Sequence, residues 1–198
     1  MASQVRLFIS GGPDQEPARE LLGQALAEFP VNVGWVIKRT PDVDSVAESH
    51  LFLILLGADI TAPVGLELYW AQRTEKPTCA YRMDVNRTPA GQVFVQDAQR
   101  AGLDWRRCHD LAALRRRVLA DLSRFLLSNA ERYGITMMEA QRLHAFIGAL
   151  EKAAAGAPAG GPTGERPTPK PAGAGGGGVI LAPGKDEPRG ARLVGEPG

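Results

Sequence analysis

Hydrophobic residues along this chain follow two alternating periods, near two and near three and a half residues, over roughly its first three quarters. Val5-Arg6-Leu7-Phe8-Ile9-Ser10 reads as a first strand, stopped by Gly11-Gly12-Pro13. Leu21, Leu22, Ala25 and Phe29 recur at helical spacing after Pro17, and Pro30 ends that run. Val31, Val33, Trp35 and Ile37 alternate with polar or small residues, which predicts a half-buried strand at a sheet edge. Ser45-Val46-Ala47-Glu48 has the spacing of a capping box and predicts a short helix.

Leu51-Phe52-Leu53-Ile54-Leu55-Leu56 shows no alternation, so this strand belongs inside a parallel sheet with both faces covered. The loop Gly57–Pro63 leads to a helix from about Val64 to Thr74. Thr78–Met83 reads as a fourth strand, Thr88-Pro89 as a cap and first turn of a helix to about Gln99, and Leu103–Cys108 as a short fifth strand. Asp110 caps a long helix striped with Leu111, Leu114, Val118, Leu122 and Phe125. Thr136-Met137-Met138-Glu139 is a capping box for a last helix with Ala140, Leu143, Ile147 and Leu150 inward, ending near Lys152.

Strands alternating with helices predict an α/β three-layer domain around a parallel sheet. An amphipathic second strand at the edge and an apolar third strand inside fit the flavodoxin-like order 2-1-3-4-5. Ligands then bind at the switch point beyond the C-terminal ends of strands one and three, where loops Ser10–Glu16 and Gly57–Pro63 converge.

Composition divides the chain. Residues 153–198 hold 13 of the 23 glycines, 8 of the 15 prolines and none of the 12 aromatics, which predicts a domain over 1–152 and a disordered Gly/Pro/Ala-rich tail over 153–198. Residues 1–150 carry 17 Lys+Arg against 17 Asp+Glu, a balance that argues against nucleic acid as a partner. The longest apolar run, Leu51–Leu56, is too short for a membrane span, and the N-terminus lacks the features of a signal peptide. Two cysteines, Cys79 and Cys108, form no disulfide framework and suit buried strand positions; the three histidines have no metal spacing. A cytoplasmic protein with neither resident cofactor nor metal is the expectation.

Among candidate chemical groups, Glu67 stands out by position, early in the helix after the central strand and beside the switch point. A helical wheel places it at the border of the stripe set by Val64, Leu68 and Ala71, which predicts a carboxylate at the rim of a cleft. A carboxylate beside an apolar wall suits stabilisation of an oxocarbenium ion during glycosidic cleavage; dipole complementarity in the first turns of a helix also places many acids there. Trp35, Trp70 and Tyr81 are candidates for stacking on a base or for packing. Lys38-Arg39 ends the edge strand, where it meets a phosphate or stays solvated, and Arg115-Arg116-Arg117 reads as a solvated helix face. Leu66 and Tyr69 fall off the core stripe, which predicts self-association or a protein partner there unless the terminal helix folds over them.

Val5–Ser10, Leu51–Gly57, the run Pro63-Val64-Gly65-Leu66-Glu67-Leu68-Tyr69-Trp70-Ala71 and Lys76-Pro77 resemble TIR-like domains and, equally, nucleoside 2-deoxyribosyltransferase-like domains. The likeness spans roughly Val5 to Cys108, and its specific part is Leu51–Pro77. Val64-Gly65 stands near the position of the Trp-Cys pair usual in TIR domains. The resemblance implies a nucleotide or nucleoside ligand, with Glu67 attacking or stabilising the ribosyl carbon as the N-glycosidic bond of NAD or a nucleoside is cleaved. It implies that Ser10 and Gly11 contact that ligand, and it offers Asp59 as a counterpart of an acid in the transferase loop. Gly12 and Trp70 complete the expected substrate-binding set. The alternative it implies is a non-catalytic nucleotide-sensing or protein-interaction module in a prokaryotic signalling or defence system.

Overall fold

The computed structural model describes residues 4–156. Strands β1 (Gln4–Gly11), β2 (Gly34–Arg39), β3 (Leu51–Leu56), β4 (Thr78–Met83) and β5 (Trp105–Cys108) pair in parallel in the order β2-β1-β3-β4-β5. The flavodoxin-like order read from the sequence is the one observed. Between the strands run α1 (Glu16–Ala27), α2 (Val43–Glu48), α3 (Ala62–Arg73) and α4 (Pro89–Arg100). After β5 come α5 (Leu111–Ser128), α6 (Ala130–Tyr133) and α7 (Met137–Ala155).

Strand β3 pairs with β1 from Leu7↔Leu51 to Gly11↔Leu55 and with β4 from Phe52↔Thr78 to Leu56↔Arg82. Its side chains alternate between two cores. Leu51, Leu53 and Leu55 pack with Leu22 of α1 and Leu114, Val118 and Leu122 of α5. Phe52, Ile54 and Leu56 pack with Val46 of α2, Val64, Leu68 and Ala71 of α3, and Val95 and Ala98 of α4. All six residues of β3 are buried, worth roughly 9–18 kcal/mol before chain entropy is counted.

Three expected caps form: Thr88 accepts from the Gly91 N–H, Asp110 from that of Ala113, and Thr136 with Glu139 closes a reciprocal box. Helix α2 departs from expectation. Its cap is Asp42, whose carboxylate accepts from both the N–H and the hydroxyl of Ser45, so Ser45 is a donor inside the first turn rather than the cap. Strand β2 begins at Gly34 instead of Val31, because the Val33 N–H turns back onto the Val31 carbonyl. Val31 instead joins a satellite cluster with Val5, Leu126, Tyr133 and Leu143. Leu111, expected inward, is 39% exposed because α5 starts beyond the end of the sheet. Cys108 is buried as expected, whereas Cys79 is only half-buried.

The short helix α6, unforeseen in the sequence, ends on Gly134 at φ 63°, and the Ile135 N–H closes onto the Ala130 carbonyl. That left-handed stop reverses the chain. It lays α7 against α5, with Phe146 edge-on to Phe29 and Arg124 paired to Glu151. Helix α7 continues past Lys152 to Ala155; the disorder expected of the tail concerns residues that, from 157 on, lie outside the described ones. Among the described residues no helix is long and apolar enough to cross a membrane.

Candidate functional site at the C-terminal end of the sheet

Strands β1 and β3 end side by side, with Ser10 opposite Ile54 and Gly11 opposite Leu55. Helix α3 begins just beyond, and Glu67 lies three residues after Val64 and four before Ala71, both buried against the sheet. That spacing puts all three on one helical face. Glu67 therefore points at the end of β1, and it is 0% exposed.

The Ser10 hydroxyl donates to Glu67 Oε2 at 2.5 Å, and the Thr40 hydroxyl donates to the same oxygen at 2.6 Å. Thr40 Oγ1 in turn accepts from the Gly11 N–H at 3.2 Å. The Asp42 N–H reaches Glu67 Oε1 at 3.4 Å. All these partners are neutral donors. A buried carboxylate is costly, and hydrogen bonds from hydroxyl and backbone donors are what offset that cost in the absence of a cation.

This corrects the expectation of a carboxylate at a cleft rim. The wheel position of Glu67 is at the stripe's border, as read, but the segment Thr40–Asp42 after β2 lies over it and seals it. The Thr40–Pro41 peptide is cis.

Charged residues surround this buried centre. Arg19 donates to the Gly11 carbonyl at 2.8 Å and grips Glu16 through Nε at 3.0 Å and Nη2 at 2.5 Å. Arg39 adds a bond to the other Glu16 oxygen at 2.9 Å. The Arg19 hydrogen bond holds the Glu16 carboxyl below its usual value. Lys38 lies 3.6 Å from Asp42. Lys38 and Arg39 each have a carboxylate partner, and both side chains stay largely exposed at the strand end. Sequence reasoning missed Arg19 and Thr40; neither has a local signal, since their roles come from the chain returning to the end of β1.

The other expected site residues are distributed around this centre. Gly12 is buried next to Thr61, the residue preceding α3. Asp14 accepts from the Ala58 N–H at 3.0 Å and from the Gln15 amide at 3.1 Å, latching the loop after β1 to the loop after β3. A Cβ on the buried Gly57 would overlap both the Asp14 carboxylate and the Gln15 amide, so this latch requires glycine there.

Asp59 is exposed and accepts from the Thr88 hydroxyl at 2.6 Å and the Ile60 N–H at 2.8 Å. Those two bonds hold its carboxyl below the ordinary value. It ties the loop to the start of α4 and shares no hydrogen bond with Glu67. Trp70 is 38% exposed, with its ring edge-on to Tyr69 at 6.0 Å.

Two stacking candidates are packing residues. Trp35 lies edge-on to Phe29 at 5.3 Å. Tyr81 is buried and donates to Asp121 at 2.6 Å, with burial pushing its phenol far upward. A cavity of about 370 Å³ opens at the same end of the sheet on the α1/α5 side, lined by Asp14, Gln15, Ala18, Gly57, Met83 and Leu111 among others; Glu67 does not line it.

Fold and site together define a doubly wound, flavodoxin-like α/β domain whose switch-point end holds a buried carboxylate clamped by two hydroxyls. Comparison of the chain with models of protein families, with curated proteins and with solved structures gave no match.

Proposed function

We propose that the domain binds the ribosyl part of a nucleotide or nucleoside at the C-terminal end of β1 and β3, in the manner of the TIR-like and deoxyribosyltransferase-like domains it resembles. Glu67 is the group that stabilises or captures the anomeric carbon as the N-glycosidic bond of NAD or a nucleoside breaks. One observation carries this reading: the Glu67 carboxylate is fixed by Ser10 and Thr40 at the switch point, and among the described residues it makes no ion pair. A carboxylate not neutralised by a lysine or arginine keeps its capacity to stabilise positive charge developing on a sugar.

The arrangement described is closed. The Thr40–Asp42 segment reaches Glu67 through one hydroxyl and one N–H. Sugar hydroxyls entering the site take over those two positions as the segment lifts, while Ser10 continues to hold the carboxylate.

Incubation of the full chain with NAD and with a panel of deoxynucleosides, followed by chromatography of the released base, tests this. Turnover is expected in the wild type and is expected to fall about 100-fold or more in Glu67→Gln. Turnover that persists in that variant removes Glu67 from the reaction.

A second reading rests on α3. Leu66 and Tyr69 are 48% and 53% exposed beside Trp70, and α7 packs on α5 rather than over them. Among the described residues nothing covers this apolar face, which suits a non-catalytic module that associates with itself or with a partner in signalling or defence. Sedimentation at several concentrations decides it: a wild-type oligomer dispersed into folded monomers by Leu66→Asp with Tyr69→Asp supports the interface, and a wild-type monomer at every concentration, alone and with ligand, leaves no self-association through this face.

A further inference from the structure

A second concave site lies on the opposite side of the sheet from Glu67, between α5 and α7. Arg116 and Arg117 sit within the arginine run of α5, and Arg124 follows two turns after Arg116. The spacing 116, 120, 124 aligns Arg116, Ala120 and Arg124 on one helical face, and the small Ala120 leaves a hollow between the two guanidiniums. Leu150, Glu151 and Ala154 of α7 and Arg106 of β5 also line the cavity, which is about 310 Å³.

Four arginines and two carboxylates meet here. Asp121 takes Arg106 and, at 2.9 Å, Arg124. Glu151 takes Arg124 at 2.6 Å. Both acids are thereby committed to Arg106 and Arg124. Within the run, Arg115 pairs with Glu28 at 3.2 Å, outside the cavity. Among the described residues, Arg116 and Arg117 make no ion pair, so the cavity carries two uncompensated positive charges. The Arg116 Nε is moreover buried without a hydrogen-bond partner. It is one of six such side-chain atoms among the described residues and the one that belongs to a residue lining this cavity, where an anion's oxygen would supply the acceptor.

We infer that this cavity is a binding site for a small phosphorylated metabolite, a phosphomonoester dianion. Guanidinium forks match phosphate oxygens in pairs, and two free arginines match a dianion in charge. A volume of about 310 Å³ is at the lower end for ligand sites, which suits a compact ester. Ala120, Leu150 and Ala154 provide the apolar wall for the ester's carbon part. The bound dianion would bridge α5 to α7 and fasten the terminal helix to the domain. This site is independent of the reading given for Glu67.

Titration of the full chain with phenyl phosphate, with inorganic phosphate as the comparison, tests the inference by following arginine Nε–H and backbone amide resonances at physiological ionic strength. A saturable shift of the Arg116 Nε–H and of the amides of Leu150–Ala154 is expected, with phenyl phosphate binding more tightly than phosphate. Arg116→Gln with Arg117→Gln is expected to weaken binding about tenfold or more, whereas Arg115→Gln leaves it unchanged. The wild-type Arg116 resonance reports even if the double variant fails to fold. No saturable shift at millimolar phenyl phosphate overturns the site. So does a loss in Arg115→Gln equal to that in the double variant, since binding would then follow net charge alone.

Discussion

Removing the Ser10 hydroxyl measures how the carboxylate of Glu67 is held. Ser10→Ala deletes a 2.5 Å bond to an oxygen that has one other donor, Thr40, in a position with no exposure. No water replaces the lost donor at a sealed position. Hydrogen bonds to charged groups contribute about 1.5–3 kcal/mol, against about 0.5–1.5 between neutral ones. The expected cost of Ser10→Ala is therefore about 2 kcal/mol, a large share of the 5–15 kcal/mol typical of a domain. For a domain of this size it lowers Tm by roughly 4–8 °C. In a Glu67→Gln background the same substitution removes only a neutral bond and should cost about 1 kcal/mol. The cycle Ser10→Ala, Glu67→Gln and the double variant should thus show a coupling of about 1 kcal/mol by urea denaturation. An exposed carboxylate at a cleft rim would give neither effect. A Ser10→Ala protein within about 0.5 kcal/mol of the wild type, with an additive cycle, refutes the sealed centre.

Further outcomes follow from other parts of the fold. Burial pushes the Cys108 thiol up to about 11 and raises that of Cys79. At pH 8 about one Cys108 in a thousand is thiolate, so a thiol reagent should label the native chain far more slowly than the urea-unfolded one; equal rates would contradict the packing of β4 and β5. His50 accepts the Arg6 N–H through Nδ1 at 3.3 Å, and burial first, then the nearby Arg132, Arg6 and Lys76, lower its pKa. A lowered folded-state value gives stability that is complete above the unfolded value near 6.5 and is lost as pH falls through the folded value. The urea midpoint should drop on going from about pH 7.5 to 5.5, less so in His50→Gln, and an equal slope in the variant would remove His50 as the cause. Gly57→Ala places a methyl group against Asp14 and Gln15. It should cost about 1–3 kcal/mol, with part of that recovered in Gly57→Ala/Asp14→Ala; strictly additive denaturation energies would show that Asp14 is not what the methyl displaces.

Much of this architecture is determined by local pattern. Six consecutive apolar residues at Leu51–Leu56 can only be satisfied by helices on both faces, and a second strand that is half polar can only sit at an edge, so the order of strands follows from where each can bury its side chains. Thr88, Asp110 and Thr136 cap their helices because a short polar side chain facing the free N–H groups of a first turn is a local arrangement needing no distant partner. What lies on Glu67 was not local. Its wheel position marks the border of a buried stripe, but whether that border opens to solvent depends on Thr40 and Asp42, brought there by the pairing of β2 with β1. The arginine run shows the same division. Three adjacent charges on a helix read as a solvated face, and Arg117 is exposed as that reading has it, but α6 ends on Gly134 and turns α7 back along α5, so that Arg116 and Arg117 come to line a hollow with Arg106 and Arg124. Sequence periodicity determines which face of an element is buried. What covers the margin of that face is decided by segments distant along the chain, and here both the carboxylate and the guanidiniums sit at such margins.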